Sequence, residues 1–234
     1  MKLGILNADI VNPKFSPVFG EYPDMFAKMF KAADLDVELV TYQVIDGEFP
    51  ELLDEVDAYL ITGSKFSVYD DVPWIHKLKA FVKKLHENKK KLVGICFGHQ
   101  MVAEALEGNV SKAGSGWSVG VQSNSLNEAS QHYGFQQNDF LLCSNHQDQV
   151  TELPSGAKVL AGNEICPIAA MGIEDHILTF QGHPEFSEGY ARALLDMRRE
   201  IFGEELYQSA IDSLHTKPDN QQIASRILEF VSRP

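Results

Sequence analysis

The sequence predicts an α/β fold: a mostly parallel central sheet with helices on both faces, and a small antiparallel flanking sheet. Three observations predict it. Short apolar runs at 2–8, 37–44, 58–62 and 91–95 alternate with segments of helical period, the signature of parallel strands joined by crossover helices. The last of these runs passes through Gly94-Ile95-Cys96-Phe97-Gly98 straight into a helical segment. After Gly108 the pattern changes to alternating stretches separated by turn residues, which read as antiparallel strands.

The elements follow in order. Residues 2–8 form a buried first strand, followed by a loop through Pro13, Pro17 and Gly20. Met25, Phe26, Met29 and Phe30 recur on one face of the next helix, a stripe that packs into the core. Strands at 37–44 and 58–62 follow, and the latter opens into Thr62-Gly63-Ser64-Lys65-Phe66-Ser67-Val68-Tyr69. In open parallel sheets, ligands sit at the carboxyl ends of the strands, where this loop begins.

The next strand carries the most informative residues. Glycines flank a single cysteine, giving Gly94-x-Cys96-x-Gly98, and Gln100 to Leu106 then reads as a helix that stops at Gly108. A strand turning tightly into a helix lifts the central side chain above the sheet, in the manner of a nucleophile elbow with cysteine in place of serine. Small neighbours suit a strained turn that other backbone approaches closely. The helix start, with its free N–H groups, favours a thiolate at Cys96.

A thiol nucleophile needs a histidine to take its proton and a third group to orient that histidine. Thr179-Phe180-Gln181-Gly182-His183-Pro184-Glu185-Phe186 supplies both. Residues two apart in an extended segment point the same way, so Glu185 can hold the His183 ring. Pro184 biases His183 toward that extended conformation.

Beyond Gly108, 114–121 is a glycine-rich turn whose spacing matches no phosphate-binding fingerprint. Residues 140–150, 157–162 and 168–180 read as the flanking antiparallel strands. His146 reads as a histidine that fixes its loop. The C-terminal part is helical: 187–202 opens at a capping serine and ends at Gly203, and 204–214 and 220–231 add two amphipathic helices. These two cover the sheet or meet a partner.

At 234 residues with 44% hydrophobic content, the chain reads as a single globular domain over 1–234, with a helical extension from about residue 203. A net charge of −13 argues against binding a phosphate backbone, and Lys89-Lys90-Lys91 is the only basic run. Three cysteines without CxxC spacing give neither a disulfide framework nor a zinc site and suit a reducing cytoplasm. No signal pattern or membrane-length apolar run is present. Nothing in the sequence requires a metal or an organic cofactor.

Gly94-Ile95-Cys96-Phe97-Gly98-His99-Gln100 together with Gly182-His183-Pro184-Glu185 resembles the class I (triad) glutamine amidotransferases, in particular their stand-alone, one-domain members and the glutaminase domain of GMP synthase. The resemblance runs from the first strand to about Phe202. It implies a flavodoxin-like three-layer sandwich. It also implies that Cys96 is the nucleophile, His183 the base and acid, and Glu185 the orienting carboxylate. The oxyanion donors would be the N–H groups of Gly63, Ser64 and Phe97, although Gly63-Ser64-Lys65 stands where the family commonly has Gly-Gly-Pro. Ser144-Asn145-His146-Gln147-Asp148 matches the segment that cradles the amino and carboxylate groups of glutamine, and Gln100, Gln147 and Asp148 would line that pocket.

The implied reaction is hydrolysis of a γ-glutamyl amide, with glutamine as substrate and ammonia as leaving group. The chain has no Ser-Gly-Gly-x-Asp-Ser or Walker loop, so an ammonia acceptor would belong to a separate synthase subunit. Residues 44–50 and 146–154 also resemble plant γ-glutamyl peptidases acting on glutathione conjugates, for which the leaving group is a peptide amine. A non-catalytic regulatory protein of the same family is the third reading.

Overall fold

The computed structural model describes residues 1–233. Strands β1 (Lys2–Asn7), β2 (Glu38–Gln43), β3 (Ala58–Ile61), β4 (Lys91–Ile95) and β11 (Ile177–Phe180) are parallel neighbours in the order β2-β1-β3-β4-β11. The same sheet continues antiparallel through β10 (Ala170–Ile173), β9 (Ala157–Gly162), β6 (Ser118–Leu126) and β7 (Asp139–His146), making nine strands. A separate antiparallel pair joins β5 (Asn109–Lys112) to β8 (Asp148–Glu152). The predicted strand at 140–150 is therefore two strands, broken at Gln147. The run at 168–180 is likewise a hairpin, β10 and β11, turning through Glu174 at φ 46°.

The parallel strands are buried on both faces, and alternation sorts their side chains into two layers. Leu3, Ile5, Leu60, Val93 and Ile95 face α2 (Tyr22–Ala32) and α8 (Asn220–Val231). Leu6, Tyr59, Ile61 and Leu92 face α3 (Pro73–Glu87) and α4 (Phe97–Ala105). The Met25, Phe26, Met29 and Phe30 stripe of α2 is buried, as its period predicts. Helix α8 also belongs to the core, with Ile223, Ile227 and Phe230 no more than 1% exposed. Full burial of three such side chains stabilises the fold by roughly 5–9 kcal/mol before ordering costs.

The predicted helix over 187–202 breaks at Arg198 into α5 (Glu188–Met197) and α6 (Arg199–Phe202). There the backbone N–H of Arg198 is shared between the carbonyls of Leu194 and Leu195, at 3.2 and 3.1 Å. Helix α7 (Glu204–Ser213) packs on β6, where the Ser213 hydroxyl oxygen accepts from Val121 N–H at 2.8 Å. Among the described residues no helix is long and apolar enough to cross a membrane.

Register positions the site. Ile61 lies beside Gly94, and Ile95 beside Phe180, so β3, β4 and β11 end level with one another. The residues that follow them, Gly63, Cys96 and His183, are thereby brought to one edge.

Candidate active site

The turn from β4 into α4 is built on close approach. A Cβ on Gly94 would lie 2.5 Å from the carbonyl oxygen of Gly98, and one on Gly98 would collide with the carbonyl of Ile61. Glycine at both positions lets strand, helix and neighbouring strand meet. Between them Cys96 adopts φ 52° and ψ −100°, a conformation that non-glycine residues rarely hold and that costs of order 1–3 kcal/mol. The strain is held by its own backbone bonds: Cys96 N–H donates to Phe180 O at 2.8 Å, and Gln100 N–H donates to Cys96 O at 3.0 Å. Cys96 is 6% exposed at the start of the helix.

His183 leaves β11 and is anchored by its N–H to Cys143 O at 2.7 Å. Its Nδ1 lies 2.8 Å from Glu185 Oε1, and both side chains are buried. Phe186 stacks on the ring, with centroids 3.9 Å apart and planes 12° from parallel. Gly63 closes the opposite side: a Cβ there would stand 2.9 Å from His183 Cε1 and 3.8 Å from Cys96 Cβ. Burial alone would push the imidazole down. The Glu185 carboxylate, followed by the neighbouring sulfur, more than offsets it, so the ring is held toward its charged form. The second carboxylate oxygen, Oε2, is buried without a partner.

The loop after β3 is pinned from below. Asp9 accepts from the N–H groups of Lys65 and Ile10, each at 2.8 Å, and its Oδ1 lies 3.0 Å from Lys65 Nζ. The Thr62 hydroxyl accepts from Ala8 N–H at 2.9 Å. Among the described residues the N–H groups of Gly63, Ser64 and Phe97 have no protein acceptor. Gly63 and Ser64 follow β3, the strand beside the one that carries the thiol, and Phe97 opens α4 directly after Cys96. An oxyanion formed at Cys96 would need donors there.

A polar chain runs from the thiol to the predicted substrate segment. Gln181 Nε2 donates to Cys96 Sγ at 3.5 Å, and Gln181 Oε1 accepts from Gln100 Nε2 at 3.1 Å. Gln100 Nε2 also donates to Asp148 O at 2.8 Å. The Asp148 carboxylate in turn accepts from Ser67 Oγ at 2.5 Å and from the Tyr69 hydroxyl at 3.1 Å. His146 donates through Nδ1 to Asp148 O at 3.1 Å, and burial pushes it down to about 4, so it is neutral. It fixes its loop, as the sequence predicts. Cys143 and Cys166 are buried, and burial pushes both thiols up to about 12, which leaves them inert.

Two cavities meet at Cys96. One, about 220 Å³, is lined by Ser67, Gln100, Lys112, Gln147 and Asp148. The other, about 430 Å³, lies toward His183 and is lined by Ile10, Tyr22, Phe186, Leu194 and Met197. Arg198, Lys65 and Asn145 border both. A larger cavity, about 820 Å³, lies behind Glu185 between α2 and residues 214–222 and does not reach the thiol.

Every predicted site residue therefore lies around Cys96 or in the chain of bonds leading from it. Sequence reasoning missed Gln181, Ser67, Tyr69 and Arg198. Gln181 stands inside the His183 motif, and Ser67 and Tyr69 in the loop after β3, so position alone marked them. Arg198 lies in a helical pattern with no local signal.

The glutamine amidotransferase class-I family model matches residues 19–197. Gamma-glutamyl peptidase 2 of Arabidopsis thaliana is 33% identical over 214 residues, covering 88% of this chain and 86% of that protein. The GMP synthase [glutamine-hydrolyzing] of Caldanaerobacter subterraneus is 28% identical over 171 residues, 72% of this chain but 31% of that longer protein. A glutamine amidotransferase from Thermotoga maritima shares the fold at TM-score 0.78 and 14% identity, covering 99% of this chain and 98% of its own. The chain belongs to the class I glutamine amidotransferase family.

Proposed function

We propose that this protein hydrolyses a γ-glutamyl amide bond through a thioester on Cys96. The observation that carries the reading is the strained Cys96 elbow facing a His183 ring that Glu185 holds at 2.8 Å. The Cys96 thiolate attacks the γ-carbonyl carbon, and the developing oxyanion is received by the N–H groups of Gly63 or Ser64 and Phe97. Charged His183 gives its proton to the amine as the C–N bond breaks. His183, now neutral, takes a proton from water, which attacks the thioester and releases glutamate and the free thiol. Gln100, Gln147 and Asp148 hold the glutamyl end, with the Asp148 carboxylate meeting the substrate ammonium.

The leaving group separates two readings. Ammonia from glutamine would need a separate synthase subunit as acceptor. A peptide amine is favoured by the larger cavity at Cys96 and by the γ-glutamyl peptidase relative. A water-sized molecule needs only about 10–15 Å³, whereas about 430 Å³ is available.

The test is glutamate release from glutamine and from glutathione, with wild type and Cys96→Ala, alongside labelling by a glutamine-mimicking electrophile. Loss of release in a folded Cys96→Ala protein and labelling of Cys96 alone are expected. Retained turnover in the variant refutes the thioester. A wild type that neither turns over nor labels supports a regulatory, non-catalytic role.

A further inference from the structure

We propose that Arg198 is a specificity residue that recognises a carboxylate on the leaving amine, so that the preferred substrate is a γ-glutamyl peptide with an apolar side chain and a free acid end. The inference rests on the γ-glutamyl hydrolysis above.

Arg198 sits at the break between α5 and α6, where its backbone is fixed by the bonds that end α5. Its guanidinium donates through Nη1 to Asn145 Oδ1 at 2.9 Å and lies 5.5 Å from the centre of the Trp117 ring. Those contacts use one of its five N–H donors, and none of the ion pairs found among the described residues involves Arg198. In a chain of net charge −13, an arginine that lines the cavities at Cys96 and forms no ion pair is an unspent cation.

The other charges allocate it. Lys65, which borders the same cavities, is neutralised by Asp9 at 3.0 Å. The smaller cavity has its own cation in Lys112, across the β5–β8 pair from Asp148, so both ends of a glutamyl group are provided for there. That leaves Arg198 as the cation of the larger cavity, where its charge reaches Tyr190. Most of the remaining lining is apolar or aromatic, including Ile10, Tyr22, Phe186, Leu194 and Met197, with Asn12 and Ser64 as uncharged polar groups and Asp9 already taken up by Lys65. Ile10 and Met197 are 54% and 46% exposed. Apolar walls with one planar, bidentate cation suit an amino acid or short peptide with a bulky side chain.

The probes are γ-glutamylphenylalanine, its carboxamide, and glutamine, assayed with wild type, Arg198→Gln and Arg198→Lys. Wild type is expected to prefer the acid over the carboxamide by about 10- to 100-fold in kcat/KM, the range of a charge-assisted hydrogen bond lost. Arg198→Gln should erase that preference through KM, with kcat and carboxamide turnover within about threefold of wild type. Arg198→Lys should restore part of it. Carboxamide turnover and Cys96 labelling report that the variants are folded. Equal losses on all three substrates would place Arg198 on the glutamyl carboxylate and overturn the proposal. Wild-type turnover of glutamine without either peptide would also overturn it while leaving γ-glutamyl hydrolysis standing. No turnover and no labelling in wild type would instead refute the underlying reaction.

Discussion

Acidification should unfold this protein through histidines that were folded in neutral. His99 is fully buried: Nε2 donates to Ile168 O at 3.0 Å, and Nδ1 lies 2.7 Å from the Thr179 hydroxyl. Burial pushes it down to about 3, and His146 down to about 4. In the unfolded chain both return to about 6.5. Between those values the unfolded state binds more protons, so stability is complete above about 6.5 and is lost as pH falls. From about pH 7.5 to about pH 5, each histidine costs about 2 kcal/mol, about 4 kcal/mol together. His183 is shifted the other way by Glu185, and over the same interval it offsets about 1.4 kcal/mol at most. A net loss of about 3 kcal/mol remains from these three groups, a large part of a typical domain's stability. Buried His176, also held down to about 4, adds to it in the same direction. Urea unfolding midpoints across that range, read with a constant slope, measure it. His146→Gln keeps a donor for Asp148 O but cannot take a proton, so it should remove about 2 kcal/mol of the pH dependence. A wild-type loss under about 1 kcal/mol, or an unchanged slope in His146→Gln, would refute the reasoning.

Two substitutions test the site's construction. Glu185→Gln conserves shape and one hydrogen bond but leaves a buried imidazolium without its charge partner. It should lower kcat by about 100-fold, roughly 3 kcal/mol, with an unchanged near-UV CD spectrum. A fall of under about threefold would remove Glu185 from the mechanism. Gly98→Ala drives a Cβ into the Ile61 carbonyl and should destabilise by about 1–3 kcal/mol while slowing Cys96 labelling. Wild-type unfolding midpoints would show that the elbow tolerates a side chain.

The parallel core was legible because its signals are local. Apolar runs mark β1 to β4, Gly-x-Cys-x-Gly marks the elbow, and His183 and Glu185 two apart in an extended segment mark a ring and its holder. Boundaries and breaks were not legible where the cause lies elsewhere in the fold. The chain breaks at Gln147 because Val150, Gln149 and Asp148 leave the main sheet to pair with β5 across from them. The helix over 187–202 breaks at Arg198, where capping by Leu194 and Leu195 carbonyls is invisible in a helical pattern. Ser67 and Tyr69 reach Asp148 across 81 and 79 residues, so no window of sequence could join them.

Those long-range bonds explain how the strained Cys96 and the neighbouring cavity lined by Gln100 and Asp148 are kept in step. Cys96 is bound to Gln181, Gln181 to Gln100, and Gln100 to the backbone of Asp148, whose carboxylate is held by the loop that begins at Gly63. The chain of bonds links the ends of β4 and β11 with α4, β8 and the loop after β3. A shift at any of these elements would therefore move the thiol and the Asp148 cavity together rather than apart. Reaction geometry must be held within about half an ångström, and rigid elements tied to one another by hydrogen bonds do this better than separate loops. Arg198 is not part of this chain of bonds and donates to Asn145 instead. On the role proposed for Arg198, the leaving-group side can vary its chemistry without breaking the bonds that tie Cys96 to Gln181, Gln100 and Asp148.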